Sequence, residues 1–177
     1  MFIAHIPAGF LATRALQKKH PLTPKWMMHL GLVCSVLPDI DLFYFYLIDG
    51  RHTSHHHYWT HLPLFWLTVF LPLFLLAKLK RHKLFFTTCV VIFTNIMLHM
   101  VLDSVAAELY WFYPFSNQAF NLFKVEAQYT YWVWNFILHW TFALEILIVI
   151  AAFFVWKKTK FKLKTRSSHT THSPPLV

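Results

Sequence analysis

Apolar residues run through this chain in long blocks, and the few ionisable residues inside those blocks are clustered. Four blocks, residues 26–48, 60–77, 84–107 and 130–156, reach the roughly 20 apolar residues that a helix needs to cross a bilayer. The first is interrupted at Pro38, where a helix should end or kink because proline lacks an N–H and its ring meets the preceding turn. A fifth block, residues 2–16, is apolar but short, so it reads as a tilted helix, a re-entrant one or a partial span. Residues 110–123 are aromatic and polar by turns (Tyr110, Trp111, Tyr113, Pro114, Asn117), a composition that suits the membrane–water interface. The pattern predicts an all-α integral membrane helical bundle of four or five helices over residues 1–156, with an interfacial aromatic segment. Residues 157–177 are predicted to form a basic, disordered tail.

Composition agrees with a bilayer setting. Only 13% of the 177 residues are charged, whereas 57% are hydrophobic and 19% aromatic; soluble domains carry about 25% charged residues. The formal charge of +9 would suit nucleic acid, but the placement of the cations argues for a different partner. Arg14, Lys18, Lys19, Lys25, Lys78, Lys80, Arg81, Lys83 and the six basic residues after Trp156 fall on one side of the predicted helices. Arg51 and Lys124 fall on the other, so 14 of the 16 basic residues share a side. Lys/Arg excess marks the cytoplasmic face, and contact with anionic headgroups accounts for these charges without nucleic acid. The expected location is the inner (plasma) membrane, multi-pass, with the tail cytoplasmic and the lipid bilayer as the main partner. Cys34 and Cys89 each sit inside an apolar block and read as small core residues.

The remaining ionisable residues carry the chemistry. They are His5, the Pro38-Asp39-Ile40-Asp41 tetrapeptide, the run His52 to His61, and His99 with Asp103. Measured at helical rise from the basic ends, Asp39, His99, His61 and His5 lie about 20 to 26 Å away, near the outer boundary of a hydrocarbon core about 30 Å thick. Segments of alternating direction thus deliver imidazoles and carboxylates to one level. Ionisable groups in apolar segments are costly unless they pair, bind an ion or line a wet cavity, and this mixture suits a divalent metal. His99 and Asp103, four apart, share a helix face. Asp39 and Asp41 flank a residue just past a proline, and capping the next helix explains one aspartate but not both. Among the five histidines from 52 to 61, either His57 with His61 or His56 with His61 can converge, while His52 and His55 read as exposed loop residues. His20, His29, His82, His169 and His172 map to the cytoplasmic half or tail. His139 is level with the site and is open between a ligand, a supporting and a packing role. Glu145 needs a partner in the bundle such as Asn95, and Glu108, just beyond Asp103, is a candidate general base.

His5 near the start, Pro-Asp-Ile-Asp, a His-x3-Thr-His element and His-x3-Asp followed by Tyr113-Pro114-Phe115 resemble the YdjM-like family of inner-membrane, metal-dependent hydrolases. The resemblance covers roughly residues 1–123, in order and with similar spacing. The central element of that family reads His-Arg-Gly-x-Thr-His-Ser; here His56, Thr60 and His61 match, and His57, Tyr58 and Leu62 replace Arg, Gly and Ser. The resemblance implies a metal site and, with it, hydrolysis.

The residues and the resemblance together predict a centre built from His5, Asp39, Asp41, His56, His61, His99 and Asp103. Seven ligands exceed one tetrahedral zinc, so either two metals bind or some groups act from behind the ligands. Zinc fits best, with manganese or magnesium as alternatives. The predicted activity is metal-dependent hydrolysis of an ester or phosphoester near the outer leaflet, with a lipidic substrate, and Asp41 or Glu108 taking the proton from water. The rival expectations are a divalent-metal transporter or sensor, and a membrane protein whose metal only staples its helices.

Overall fold

The computed structural model describes residues 3–19 and 23–170. The last residues of the predicted tail, 171–177, lie outside the described residues, as do residues 1, 2 and 20–22. Among the described residues the chain is helical and has no strand, only an isolated antiparallel bridge between Leu109 and Phe120.

Seven α-helices follow in order: α1 (His5–Lys19), α2 (Trp26–Cys34), α3 (Asp41–Leu47), α4 (Pro63–Leu79), α5 (Lys83–Asp103), α6 (Trp132–Ile137) and α7 (Phe142–Thr170). The predicted break at Pro38 is present. α2 stops at Cys34, a 3-10 turn runs from Pro38 to Ile40, and α3 leaves at 58° to α2. α4 starts with Pro63 at its first position, where the missing N–H costs nothing. His82 caps α5, its ring nitrogen accepting from Phe85 N at 3.1 Å, which accounts for a histidine the site does not use.

Two expectations are corrected. The block 130–156 is two helices: His139 Nδ1 bonds the Thr141 hydroxyl at 2.9 Å, and this local contact sits at the junction where α6 ends and α7 begins. The basic stretch after Trp156 continues α7 as helix as far as Thr170; it is rich in lysine, a good helix former, and meets no proline before Pro174.

α5 is the central element and packs against α1, α2 and α4, while α7 docks on α1. A core of Cys34, Phe70, Cys89, Ile96, Met100 and Leu109 fills the space between them, and both cysteines are free and buried as predicted. On the α1–α2–α5 side small residues set the spacing. A Cβ on Gly9 would stand 2.5 Å from Ser35 Cβ and 2.9 Å from Asn95 Oδ1, so α1 reaches α2 and α5 only because that position is glycine.

Among the described residues α5 is the one helix long and apolar enough to cross a membrane alone; the bent α2–α3 pair counts as a second if it is one broken span, and α4 is a shorter apolar helix. The all-helical part of the expectation stands, and the expected four or five spans are not reached by this measure. The outward faces are apolar nonetheless: Leu47, Leu71, Leu79, Leu147 and Phe154 are each at least 60% exposed. Leucines and phenylalanines facing outward on this scale fit lipid contact, where water would penalise them.

Candidate metal centre

Four segments meet at the C-terminal end of α5. α5 supplies His99 and Asp103, which its four-residue spacing stacks on one face, continuing the line of Asn95. The 3-10 turn after Pro38 delivers Asp39, and Asp41 follows as the first residue of α3. A second 3-10 turn, Trp59–His61, buries Thr60 and His61, and α1 begins with buried His5.

Four donor atoms converge at the centre. His61 Nε2 and His99 Nε2 are 3.3 Å apart, and Asp39 Oδ1 is 3.7 and 3.5 Å from them. Asp103 Oδ2 is 2.9 Å from His99 Nε2 and 3.7 Å from His61 Nε2. Bonds of about 2.0 to 2.2 Å to a tetrahedral zinc leave neighbouring ligand atoms about 3.3 to 3.6 Å apart; the 3.3 and 3.5 Å pairs fall in that range, the two 3.7 Å pairs lie just above it, and the 2.9 Å His99–Asp103 pair is closer than such an edge.

Hydrogen bonds at the opposite ring nitrogens turn both Nε2 atoms toward the centre. His61 Nδ1 donates to Asp41 Oδ2 at 2.6 Å, and His99 Nδ1 donates to the Ser35 carbonyl at 2.8 Å. Each hydrogen bond selects the tautomer whose Nε2 carries a lone pair. Two lone pairs and two carboxylate oxygens then face one another in a site where His61, His99 and Asp103 are at most 2% exposed. A group of this composition could hold a metal ion between its members. Two imidazoles with two carboxylates suit zinc or manganese better than magnesium, which avoids nitrogen.

The structure thus sorts the seven expected ligands by position. Asp39, His61, His99 and Asp103 converge. Asp41 stands behind His61, held by the Thr60 hydroxyl as well, in the carboxylate–histidine arrangement that orients metal-binding imidazoles. His5 Nε2 is 3.0 Å from the other oxygen of Asp103, and its ring stacks on His99 at 3.9 Å. His56 Nε2 lies 3.7 Å from Asp103 Oδ2, and burial beside His55 pushes its pKa down to about 3, so the ring is neutral at pH 7. The pairing open in the sequence is settled in favour of His56, because the His55–His57 turn sends His57 outward to stack on Tyr110 at 4.2 Å.

Other expected participants lie elsewhere. Glu108 is exposed and outside the cavity described below, so the structure does not bring it to the centre. His139 serves its own turn. The Glu145 carboxylate accepts from the backbone N–H of Ile3 at 2.7 Å and Ala4 at 3.2 Å, satisfying donors at the start of α1 instead of pairing with Asn95. Two contributors were missed by sequence reasoning. His55, expected as an exposed loop residue, lies with Nδ1 3.6 Å from Asp41 Oδ1. The Ser35 carbonyl that orients His99 is a backbone group and leaves no side-chain signal.

A cavity of about 480 Å³ opens onto the centre. Asp39, Asp103, His55 and His56 form its polar floor; Leu42, Phe45 and Phe136 are among its apolar walls. Arg51 is at its edge, held with φ 68° after Gly50 (φ 58°) and with its guanidinium 4.8 Å above the Tyr46 ring. The left-handed backbone there is sustained by Asp49, whose carboxylate accepts from Thr53 N at 2.7 Å; that bond holds the Asp49 pKa below its ordinary value.

Compared with known proteins, the chain matches a family model described as YdjM inner membrane protein over residues 1–164. No curated protein and no solved structure matches it.

Proposed function

The chain belongs to the YdjM inner membrane protein family, and from that premise we propose that it is a multi-pass, metal-dependent hydrolase that cleaves an ester or phosphoester of a lipid-like substrate near the outer leaflet. The observation that carries this reading is the convergence of His61 Nε2, His99 Nε2, Asp39 Oδ1 and Asp103 Oδ2 beside a cavity that is polar at its floor and apolar at its walls. A volume of about 480 Å³ is within the range of small-ligand sites, and the apolar walls suit an acyl or prenyl chain.

In this reading Asp39, His61, His99 and Asp103 hold the metal. A divalent cation there supplies Lewis acidity, lowering the pKa of water to around 7 and polarising a phosphoryl or carbonyl oxygen. The chain's own groups do the rest. Asp41 and the Ser35 carbonyl keep the two imidazoles in the metal-binding tautomer, and His5 keeps Asp103 aligned. Asp41 is occupied by His61 and Thr60, and Glu108 is outside the cavity, so neither is placed to take the proton from water. Asp39, at 30% side-chain exposure the most open of the four ligands and a lining residue of the cavity, is the carboxylate that reaches the substrate space. Arg51 offers a positive charge to an anionic headgroup from the rim.

The basic residues support an orientation with the 157–170 stretch in the cytoplasm and the centre toward the outer side. Transport is disfavoured by packing beneath the centre. Gly9 and Gly31 bring α1 and α2 into direct contact with each other and with Asn95, closing the route that an ion would need. A stapling role is compatible with ligands drawn from separate segments, and chelation separates it from catalysis.

The test is to purify the full chain in detergent, measure bound metal, and assay turnover of phosphoester and carboxylic ester lipids. Bound metal and metal-dependent turnover, both lost in His99→Ala, are expected. Metal retention with no turnover on either lipid class, together with melting on chelation, would establish the stapling role instead.

A further inference from the structure

Asp41 has two unlike oxygens. Oδ2 accepts from the Thr60 hydroxyl and from His61 Nδ1. Oδ1 is buried in a side chain only 5% exposed and accepts no hydrogen bond. The nearest basic group is His55 Nδ1, 3.6 Å away, which is buried and likewise has no hydrogen-bond partner. An ordinary Asp–His hydrogen bond would bring these atoms within about 3 Å. Two orphaned atoms at such a separation call for something between them, and 3.6 Å is the edge length of a tetrahedral metal site.

The surroundings are those of a second metal position. Ring nitrogens of His55, His56 and His61 lie within 4.8 Å of one another, forming a second group that shares only His61 with Asp39, His61, His99 and Asp103. His55 and His56 also face the cavity, and their rings are 3.9 Å apart. Asp103 Oδ2 is 3.7 Å from His56 Nε2 on one side and 2.9 Å from His99 Nε2 on the other, so one carboxylate oxygen borders both groups. Bridging carboxylates of this kind hold two-metal hydrolytic sites at about 3.5 to 4 Å between ions.

We propose that Asp41 Oδ1, His55 Nδ1 and a ring nitrogen of His56 bind a second divalent cation next to the first, with Asp103 between the two. The inference rests on the proposed function only in taking Asp39, His61, His99 and Asp103 as the first position. With Asp103 bridging, the second cation would have four protein ligands, and a fifth could enter from the cavity that His55 and His56 face. The pair would share the neutralisation of an anionic headgroup, a task for which Arg51 is the only rim cation among the lining residues.

The experiment uses the full chain in detergent, stripped with chelator and reloaded with Zn²⁺ or with Mn²⁺. Wild type should hold two zinc ions per chain, and His55→Ala and His55→Gln should each hold one. With Mn²⁺, wild type should give the spin-coupled spectrum of a close pair and both variants an isolated-ion spectrum. The single ion retained in the variants also reports that they are folded, and adding His99→Ala should remove it. Two ions in both His55 variants would overturn the second position, as would no ion in either, which would make His55 part of a single centre. One ion in wild type that disappears in His99→Ala would overturn this inference while leaving the proposed function standing. No bound ion in wild type would overturn both.

Discussion

One face of α5 carries two buried polar clusters, and they solve the burial problem in opposite ways. Nearer the basic end, Asn95 donates to Thr13 Oγ1 at 3.0 Å and to the Val91 carbonyl at 2.8 Å, with Gly9, Gly31 and Ser35 packed around it. Its members are neutral and hydrogen-bonded to one another, and the helices touch closely. One turn on, His99 and Asp103 join Asp39, Asp41 and His61, where three carboxylates crowd around imidazoles already committed through Nδ1. In the first cluster both donor hydrogens of Asn95 find protein acceptors, although its buried Oδ1 accepts no hydrogen bond. The second gathers carboxylates and imidazoles whose donor atoms could hold a cation, and burial makes charge compensation there costly to lose. Comparable burial thus serves packing in one place and, in the proposed reading, ligand binding in the other.

The comparison can be broken most severely at the ligands. Asp103→Ala or His99→Ala should abolish binding at the first metal position and drop turnover to background, measured by elemental analysis and lipid hydrolysis. Retention of metal by both would dissolve the contrast. Next in size, Asp41→Asn should keep the His61 contact in shape but weaken its polarisation, lowering metal affinity by about 10- to 100-fold in a competition titration.

In the neutral cluster the expected effect falls on stability. A Cβ at Gly31 would collide with Thr13, so Gly31→Ala should cost about 1–3 kcal/mol in denaturation while metal stoichiometry stays unchanged. Loss of metal in that variant would mean the two clusters act as one unit. Glu145→Gln should cost about 1 kcal/mol by weakening the acceptor for Ile3 and Ala4 N–H groups, again read by denaturation. The smallest effect belongs to Arg51→Ala, at the exposed rim. KM for an anionic lipid should rise by roughly threefold to tenfold, with a neutral ester unaffected, as suits a single solvent-screened charge.

Legibility varied with how local the cause was. Pro38 broke the first apolar block where expected, since proline acts on its own backbone. The 130–156 block reads as continuous from hydropathy, yet His139 and Thr141 interrupt it with a side-chain contact that hydropathy does not register. Glu145 had to have a partner, but its identity depended on α7 docking beside the start of α1, 141 and 142 residues away in sequence. In the His55-His56-His57 run three identical side chains offer no internal signal. Their fates diverged only when a 3-10 turn aimed two toward Asp41 and Asp103 and one toward Tyr110.

By itself the sequence determined that this protein is helical and apolar, and that its imidazoles and carboxylates gather at the ends of the helices away from most of the lysines. Hydropathy and four-residue spacing are properties of neighbours along the chain, so they need no fold to be read. Only the tertiary structure decided which nitrogen of each histidine is free. That choice follows from the Asp41 carboxylate and the Ser35 carbonyl, contributed by distant segments, and hydrogen bonding at one ring nitrogen dictates what the other can hold.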